Sequence, residues 1–143
     1  MKKLLLLLFL IPILASSKEM KGIEYNYEIT RVIDGDTVAF QVDFLPAPLK
    51  QELSIRLYGV DTPEKGHRAK CPSEASKGQA AYAFTKNLVK NASTTKVIIM
   101  KWGKYAGRVI GDVIIDGKSL TKQLLEKGYG REYYGGKRDG WCK

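Results

Sequence analysis

The sequence predicts a mainly β fold with helices (α+β), in which five short strands close into a small antiparallel barrel. Three segments that alternate between apolar and polar residues come first, a long helical segment follows, and two strands and a short helix complete the chain. This order contains no βαβ alternation, which excludes a doubly wound parallel sheet. The length of 143 residues fits one domain, and 44% hydrophobic with 27% charged residues is typical of a folded chain.

The five strands are predicted from their residue patterns and from the turns between them. Alternation of apolar and polar residues marks 24–31, 38–44 and 53–60 as half-buried strands. Two further strands are predicted at 96–101 and 108–115. The segment LPAP after the second strand is a connection, because two prolines cannot lie in a central ladder.

The helices are predicted from periodicity and from their end signals. Residues 73–91 favour helix, and Ala80, Phe84 and Leu88 recur four apart on one face. A second helix, 119–127, follows an Asp-Gly turn and ends at a glycine. Five strands of this size with about two to three attached helices fit an OB-type barrel, a fold that often binds oligonucleotides on one face.

The N-terminal residues 1–17 are predicted to be a secretory signal. A basic start is followed by an apolar run over 4–14, and small residues precede position 18, which favours cleavage after Ser17. A membrane anchor is the alternative, but this run is too short to cross a bilayer of about 30 Å. We therefore expect a single domain over 18–143 with a C-terminal tail. It would be exported to a periplasm or the extracellular medium, without stable membrane association and as a monomer.

The cysteine and histidine content excludes several kinds of site. The single histidine, His67, excludes mechanisms that need two, and two cysteines exclude Cys-only zinc sites. In an exported protein Cys71 and Cys142 are expected to form a disulfide, with two free thiols as the alternative. This bridge would tie the tail to the body of the domain and contribute at most about 4 kcal/mol to stability.

The chain is basic, with 24 Lys and Arg against 15 Asp and Glu and a formal charge of +9. Part of this charge lies in one loop, at Lys65, His67, Arg68 and Lys70. The loop either attracts a polyanion electrostatically or is simply solvated. The sequence leaves both interpretations open.

Two short acidic segments carry the candidate chemistry. The first is DGDT at 34–37, between the first two strands, and the second is RLYGVDTPE at 56–64, at the end of the third. Their carboxylates offer hard oxygen ligands suited to calcium or magnesium, although Asp-Gly alone is also an ordinary turn. Arg56 needs an anionic partner if it is buried. A salt bridge with Glu52 or Glu64 is the structural alternative to a role in binding.

Together these motifs closely resemble those of the staphylococcal (micrococcal) nuclease, or thermonuclease, family. DGDT at 34–37, Arg56, VDTPE at 60–64 and a Gly-Arg pair ending at Arg108 occur in family order, and the resemblance runs from about 27 to 130. It implies an OB-fold barrel and a calcium-dependent phosphodiesterase that cleaves DNA and RNA with little base preference and leaves 3′-phosphates. A non-catalytic OB-fold module that binds single-stranded nucleic acid is the alternative, and a structural envelope protein is a third possibility.

The resemblance also implies a metal site. Asp36 and Asp61 match the carboxylates that bind Ca²⁺, and Thr62 matches the residue whose backbone carbonyl completes the protein ligands. Asp34 matches a residue that lies just beyond these ligands.

Three further positions match residues that act on the substrate. Glu64 corresponds to the general base on the attacking water. Arg56 and Arg108 correspond to the pair that grips the scissile phosphate. Guanidinium groups suit this role because they bind two phosphate oxygens at once and stay charged at any working pH.

The chain departs from the family where the family contacts the nucleotide. The family often has Lys-Tyr-Gly-Arg, whereas an extra residue, Ala106, follows Lys104 and Tyr105 here. Tyr133 and Tyr134 echo later tyrosines of the family without a fixed register, and packing of the tail on the barrel is the alternative. Lys104, Tyr105 and Tyr133 are the resulting candidates for substrate contact.

Overall fold

The computed structural model describes residues 21–142, so the predicted signal at 1–17 lies outside the described residues. Among the described residues, no helix is both long enough and apolar enough to cross a membrane. The described chain forms, in order, β1 (Ile23–Tyr25), β2 (Ile29–Asp34), β3 (Thr37–Gln41), β4 (Glu52–Leu57), β5 (Gly59–Asp61), a 3₁₀ helix (Gly66–Arg68), α1 (Pro72–Lys90), β6 (Thr95–Trp102), β7 (Arg108–Ile115), β8 (Lys118–Ser119), α2 (Leu120–Glu126) and β9 (Arg131–Tyr133).

Most strands belong to one sheet with the order β1-β6-β7-β4-β3-β2, and β8 lies beside β7. Neighbouring strands run antiparallel, except β4 and β7, which are parallel. A separate two-stranded sheet pairs β5 with β9. The mainly β, α+β class predicted from the sequence is therefore confirmed.

The ladder of hydrogen bonds does not close into the predicted barrel. The predicted strand 24–31 is two strands, β1 and β2, which lie at the two ends of the described sheet. β1 pairs with β6, and after residues 26–28 the chain pairs with β3 instead. The N-terminal segment thus changes partner where the barrel would close, and the sheet stays open between β1 and β2.

The hydrophobic core is formed by alternate positions of the strands. In β4, Leu53, Ile55 and Leu57 are buried, and the positions between them are only half-buried. From α2, Leu120 and Leu124 are fully buried in the same core. Burial of each such side chain contributes roughly 1.5–3 kcal/mol. The burial of Leu53, Ile55 and Leu57 fixes which face of β4 points into the core. The polar face, which carries Arg56, points away from the core.

Helix α1 packs on the β2–β3 turn through small and polar residues. Its buried positions are Glu74, Gly78, Ala81 and Thr85. The sequence predicts that Ala80, Phe84 and Leu88 form one apolar face. Phe84 and Leu88 are partly buried against the core, but the prediction was wrong for Ala80, which is exposed. Small residues are needed here because a Cβ at Gly35 of the turn would lie only 2.8 Å from the Cβ of Ala81.

The third predicted strand is broken at Tyr58. Gly59 has a φ of +86°, in the left-handed region that favours glycine. β4 therefore ends, and β5 turns away to pair with β9. The turn brings Thr62 within hydrogen-bond distance of Asp36 in the β2–β3 turn.

Candidate active site

The β2–β3 turn positions two of the candidate carboxylates. Asp34 pairs across the ladder with Thr37, which leaves Gly35 and Asp36 at the turn. The Thr85 hydroxyl of α1 donates a hydrogen bond to the Gly35 carbonyl at 2.7 Å. Helix α1 therefore fixes the turn, and Asp36 is buried with 5% exposure.

Short hydrogen bonds join this turn to the segment after β5. Oδ2 of Asp36 accepts a bond from the Thr62 backbone N–H at 2.8 Å and another from the Thr62 hydroxyl at 2.9 Å. Asp61 and Thr62 are buried, and Glu64 is half-buried. The two acidic segments, which are separate in the sequence, thus form one cluster.

Arg56 lies between the two buried carboxylates. Its Nη1 is 2.6 Å from Oδ2 of Asp36, and its Nη2 is 2.9 Å from Oδ1 of Asp61. A side chain with only 13% exposure needs such partners to keep its charge. In the described chain Arg56 pairs with neither Glu52 nor Glu64, the two partners considered from the sequence.

Strand register brings Arg108 to the same face of the sheet as Arg56. In the parallel pair β4–β7, Ser54 is opposite Arg108 and Arg56 is opposite Ile110. Because paired residues share a face and every second residue returns to it, both arginines point the same way. Both line one cavity of about 60 Å³. Within residues 21–142 Arg108 forms no ion pair, so its charge is available to an anion.

Arg68 of the basic loop folds back on the acids. Its Nη2 is 2.6 Å from Oδ1 of Asp34, and its Nε is 3.6 Å from Oε2 of Glu64. Lys65 lies instead over the ring of Tyr82, with Nζ 4.5 Å from the centroid. Arg68 is therefore committed to site carboxylates, which neither interpretation of the loop anticipated.

Two residues that sequence analysis missed hold the backbone of Glu64. The buried carboxylate of Glu74 accepts hydrogen bonds from the N–H groups of Lys70 at 2.7 Å and Glu64 at 3.4 Å. Gly78 lets this segment lie directly on α1, because a Cβ there would be 2.3 Å from the Glu64 carbonyl oxygen. Glu74 could have been noticed in the sequence, because it lies in the first turn of the helix after the N-cap Cys71, where acidic residues are favoured.

The C-terminal tail, residues 135–142, brings two more side chains to the acids. Arg138 lies 3.3 Å from Oδ1 of Asp61 through Nε and 3.3 Å from Oε1 of Glu64 through Nη1. The indole N–H of Trp141 donates to Oδ2 of Asp61 at 3.3 Å. Burial opposes the charge of Arg138, but Asp61, a hydrogen bond with Tyr133 and the other nearby carboxylates outweigh it and raise the pKa of Arg138 above its ordinary value. Neither residue was a candidate from the sequence.

A disulfide joins Cys71 to Cys142, with their Cα atoms 5.9 Å apart. Cys71 is the N-cap of α1, so the bridge ties the tail to the helix that supports Glu64. The pairing expected from the two cysteines is therefore present in the structure.

The candidate nucleotide contacts lie in two places. Lys104 and Tyr105 belong to the β6–β7 hairpin, where Tyr105 is 60% exposed and its ring centroid is 5.3 Å from the guanidinium of Arg108. The Tyr133 hydroxyl donates to the Gly136 carbonyl at 2.8 Å, which supports the alternative that Tyr133 packs the tail. Contact of Lys104 and Tyr105 with a substrate stays a prediction.

The donor set of the cluster fits a hard divalent cation. Asp36 and Asp61 both pair with the guanidinium of Arg56, so two carboxylates lie close together here. The cavity is lined by carboxylates, hydroxyls and arginines, and its 60 Å³ exceeds the roughly 10–15 Å³ that one water needs. Carboxylate and carbonyl oxygens suit Ca²⁺ and Mg²⁺. Asp36 and Thr62 line this cavity, and Asp61 lines an adjoining one with Thr62 and Glu64. Binding of an ion by Asp36, Asp61 and the Thr62 carbonyl stays a prediction.

The sequence matches the family described as Staphylococcal nuclease homologue over residues 54–140. The chain therefore belongs to this family. The matched segment contains Arg56, Asp61, Glu64 and Arg108 and begins after the β2–β3 turn.

Two relatives show how far the similarity extends. Endonuclease YhcR of Bacillus subtilis (strain 168) is 28% identical over 116 residues, which cover 78% of this chain and 9% of that protein. Thermonuclease of Staphylococcus intermedius is 30% identical over 120 residues, which cover 84% of this chain and 66% of that protein. The chain thus spans a small part of the first relative and just under two thirds of the second.

Proposed function

We propose that the protein is a calcium-dependent nuclease that hydrolyses phosphodiester bonds of DNA and RNA with little base preference and leaves 3′-phosphates. The observation that carries this proposal is the placement of Arg56 and Arg108 on one face, at a cavity that also receives Asp36 and Glu64. Family membership and the names of the two relatives, an endonuclease and a thermonuclease, support the same activity.

Arg108 and Arg56 are assigned to the scissile phosphate. Arg108 is not committed to a carboxylate in the described chain, and Arg56 lies on the same face of the neighbouring strand. A planar guanidinium meets two phosphate oxygens at once. Because a phosphodiester gains negative charge as water attacks, these contacts strengthen toward the transition state and accelerate the chemical step.

Asp36, Asp61 and the Thr62 carbonyl would hold the calcium ion. When bound, calcium neutralises a phosphate oxygen and helps orient the water. The N–H and hydroxyl of Thr62 both bond to Asp36, which fixes the orientation of Thr62 relative to that carboxylate. Asp36 and Thr62, two of the three proposed ligands, are therefore held together.

Glu64 is assigned as the general base. A water within hydrogen-bond reach of its carboxylate can give up a proton as the water oxygen attacks phosphorus. The bond from phosphorus to the 5′ oxygen breaks, the 5′ oxygen takes up a proton from solvent, and the phosphate stays on the 3′ side. Glu74 and Gly78 hold the backbone from which this carboxylate extends.

Cleavage assays with and without metal test the proposal. Disulfide-bonded protein over 18–143 should cleave plasmid DNA and RNA in calcium and stop in chelator. Magnesium should support less activity, because it holds its waters and demands near-octahedral geometry. Polymerase should extend the DNA products only after a phosphatase has removed their 3′-phosphates. Equal cleavage in chelator would contradict the proposal, and binding without cleavage in calcium would favour the non-catalytic single-strand binding module.

We also propose that the domain over 18–143 acts outside the cytoplasm as a monomer. The disulfide between Cys71 and Cys142 supports this location, because disulfides persist in oxidising compartments. Mass spectrometry of periplasmic and medium fractions should find a chain that begins at Lys18 and contains no free thiol. An intact N-terminus in the cytoplasmic fraction would contradict this proposal.

A further inference from the structure

Arg138 has a position that the roles taken from the family do not explain. It contacts Asp61 and Glu64, the residues assigned to metal binding and proton transfer. It also lines the same cavity as Arg56 and Arg108. The tail thus supplies a third arginine to the proposed catalytic cavity.

Arg138 is held more loosely than Arg56. Its side chain is 46% exposed, against 13% for Arg56. Its 3.3 Å contacts are longer than the 2.6 Å and 2.9 Å contacts of Arg56. Since a guanidinium carries five N–H donors, an exposed one keeps donors for an incoming anion. Arg138 can therefore exchange a carboxylate for a phosphate oxygen.

The charges of the site favour this exchange. The carboxylates are balanced by arginines, namely Asp34, Asp36, Asp61 and Glu64 against Arg56, Arg68, Arg108 and Arg138. If Asp61 held a divalent cation, the attraction of its carboxylate for Arg138 would be weaker. The cluster would then carry two net positive charges, of which a phosphodiester, with one negative charge, would offset one.

The tail is fixed on both sides of Arg138. Before it, the Tyr133 hydroxyl bonds to the Gly136 carbonyl at 2.8 Å. After it, the Arg131 guanidinium donates to the tail backbone at 2.9 Å and lies 3.7 Å from the centroid of the Trp141 ring. The disulfide follows directly. These anchors limit the conformations of the tail before a substrate binds. Arg138 therefore loses less conformational entropy on binding a phosphate than it would in an unanchored tail.

We propose that Arg138 is a third phosphate-binding arginine of the cavity, positioned by the disulfide between Cys71 and Cys142. This inference rests on the proposed nuclease function. The competing possibility is that Arg138 only plugs the site, neutralising Asp61 and Glu64 until the metal displaces it.

Single-turnover cleavage at saturating calcium separates these possibilities. Loss of one donor aimed at developing charge costs roughly 10²–10³-fold in rate, and for a partly exposed donor we expect Arg138→Ala to cost at least about tenfold. Arg138→Lys should restore part of the rate, because the charge remains without the fork. Lys137→Ala, a change at the adjacent exposed cation, should leave the rate close to wild type. A rate for Arg138→Ala equal to or above wild type would identify a plug and overturn the proposal.

Equilibrium binding gives a readout that does not depend on turnover. In a Glu64→Gln background, which should bind without cleaving, fluorescence anisotropy can follow a short single-stranded oligonucleotide in calcium. Adding Arg138→Ala should weaken this binding and reduce its salt dependence, whereas adding Lys137→Ala should change it much less. Equal losses from both changes would mean that Arg138 acts only as general positive charge, against the proposal.

The role of the disulfide is tested by combining variants. Cys71→Ser with Cys142→Ser should lower the single-turnover rate, and adding Arg138→Ala should then cost much less than it does in the bridged protein. An unchanged cost would show that the bridge does not position Arg138. If the bridge-free protein does not fold, the comparison of Arg138→Ala with Lys137→Ala still decides whether Arg138 binds phosphate.

Failure of this inference is distinguishable from failure of the proposed function. A wild-type protein that is inactive in calcium contradicts the nuclease proposal itself. A wild-type protein that cleaves in calcium, with Arg138→Ala equally active, leaves the nuclease proposal intact and overturns only the role of Arg138.

Discussion

Asp36 and Asp61 both bind Arg56 in the structure and are both proposed as calcium ligands. Changes in residues that merely support metal ligands typically cost roughly 10–100-fold in metal affinity or activity. Asp36→Ala and Asp61→Ala remove ligands, so each should raise the calcium needed for half-maximal cleavage at least about tenfold. Calcium titration of cleavage, together with calorimetry of calcium binding, measures this. Asp43→Ala, an exposed acid, is the control, and unchanged calcium use by both site variants would contradict the assignment.

The acids and two arginines were candidates because they lie in short motifs that resemble those of the family. The structure brings Arg56 and Arg108 to one cavity with three of the acids, and their roles stay predictions. The need of Arg56 for an anionic partner was also predictable, although its partners were not. Glu52 is taken by Arg31 at 2.7 Å and Lys50 at 2.8 Å, so it is not available to Arg56. Arg138 was not predictable, because its contacts depend on the path of the tail rather than on any local pattern.

At the scale of elements, α1 supports the site through Gly78. In an exposed helix position, alanine would be favoured over glycine by about 1 kcal/mol. Here a Cβ would lie 2.3 Å from the Glu64 carbonyl oxygen, and overpacking typically costs about 1–3 kcal/mol. Gly78→Ala should therefore lower the free energy of unfolding and, by displacing Glu64, slow cleavage at least about tenfold. Chemical denaturation and single-turnover kinetics measure both effects.

The control for this prediction lies on the same helix. Gln79 is exposed, so Gln79→Ala should change neither stability nor rate appreciably. If Gly78→Ala proved as stable and as active as Gln79→Ala, close packing of the Glu64 segment on α1 would not matter for the site.

The ion pair between Arg31 of β2 and Glu52 of β4 should make the stability of the protein depend on pH. The hydrogen bond from Arg31 lowers the pKa of Glu52 to about 2, from an ordinary value of 4.5. This stabilisation is complete above the ordinary pKa and is lost as the pH falls toward 2. Because Arg31 is 53% exposed, Glu52→Gln should cost only about 0.5–1 kcal/mol at pH 7.

Urea denaturation between pH 7 and pH 2 tests this dependence. The difference in the free energy of unfolding between wild type and Glu52→Gln should shrink steadily as the pH falls from the ordinary pKa toward 2. Glu126→Gln, at an exposed carboxylate without an ion pair in the described chain, should show no such trend. A difference for Glu52→Gln that is constant with pH would rule out the ion pair as its source.

The order of strands and helices could be predicted from the sequence because period-two and helical patterns are local. The bends were not predictable, since alternation continues through Tyr58 while Gly59 turns the chain toward β9. The buried stripe of α1 was missed for a different reason. It consists of small and polar residues, because α1 packs closely on a tight turn where larger side chains would not fit. A search for hydrophobic residues at helical spacing therefore does not find it.

At the scale of the whole molecule, the disulfide joins the last described residue, Cys142, to the start of α1. Constraint of the unfolded chain allows at most about 4 kcal/mol of stabilisation. Reductant should therefore lower the thermal unfolding midpoint, and native protein should show no thiol that can be alkylated. Differential scanning calorimetry and mass spectrometry test the two statements. Two alkylated cysteines in native material would contradict the bridge.

The sequence predicts a closed barrel, whereas the sheet of the described residues stays open between β1 and β2. The sequence suggests one continuous first strand over 24–31, and a continuous strand would pair on both sides. In the structure β1 pairs with β6 and β2 pairs with β3, because the chain changes its pairing partner at residues 26–28. Such a change depends on contacts between distant strands, which no local pattern records.

The central claim is that the cavity performs hydrolysis and does not merely bind nucleic acid. Single-turnover cleavage and DNA binding, measured across a salt series on the same variants, test it most directly. Glu64→Gln should slow the chemical step roughly 10²–10⁴-fold, and Arg108→Ala roughly 10²–10³-fold. Lys70→Ala, in the basic loop, should mainly weaken binding and flatten its salt dependence. A Glu64→Gln rate near that of wild type, or an Arg108→Ala variant that loses only affinity, would contradict the claim and favour the binding module.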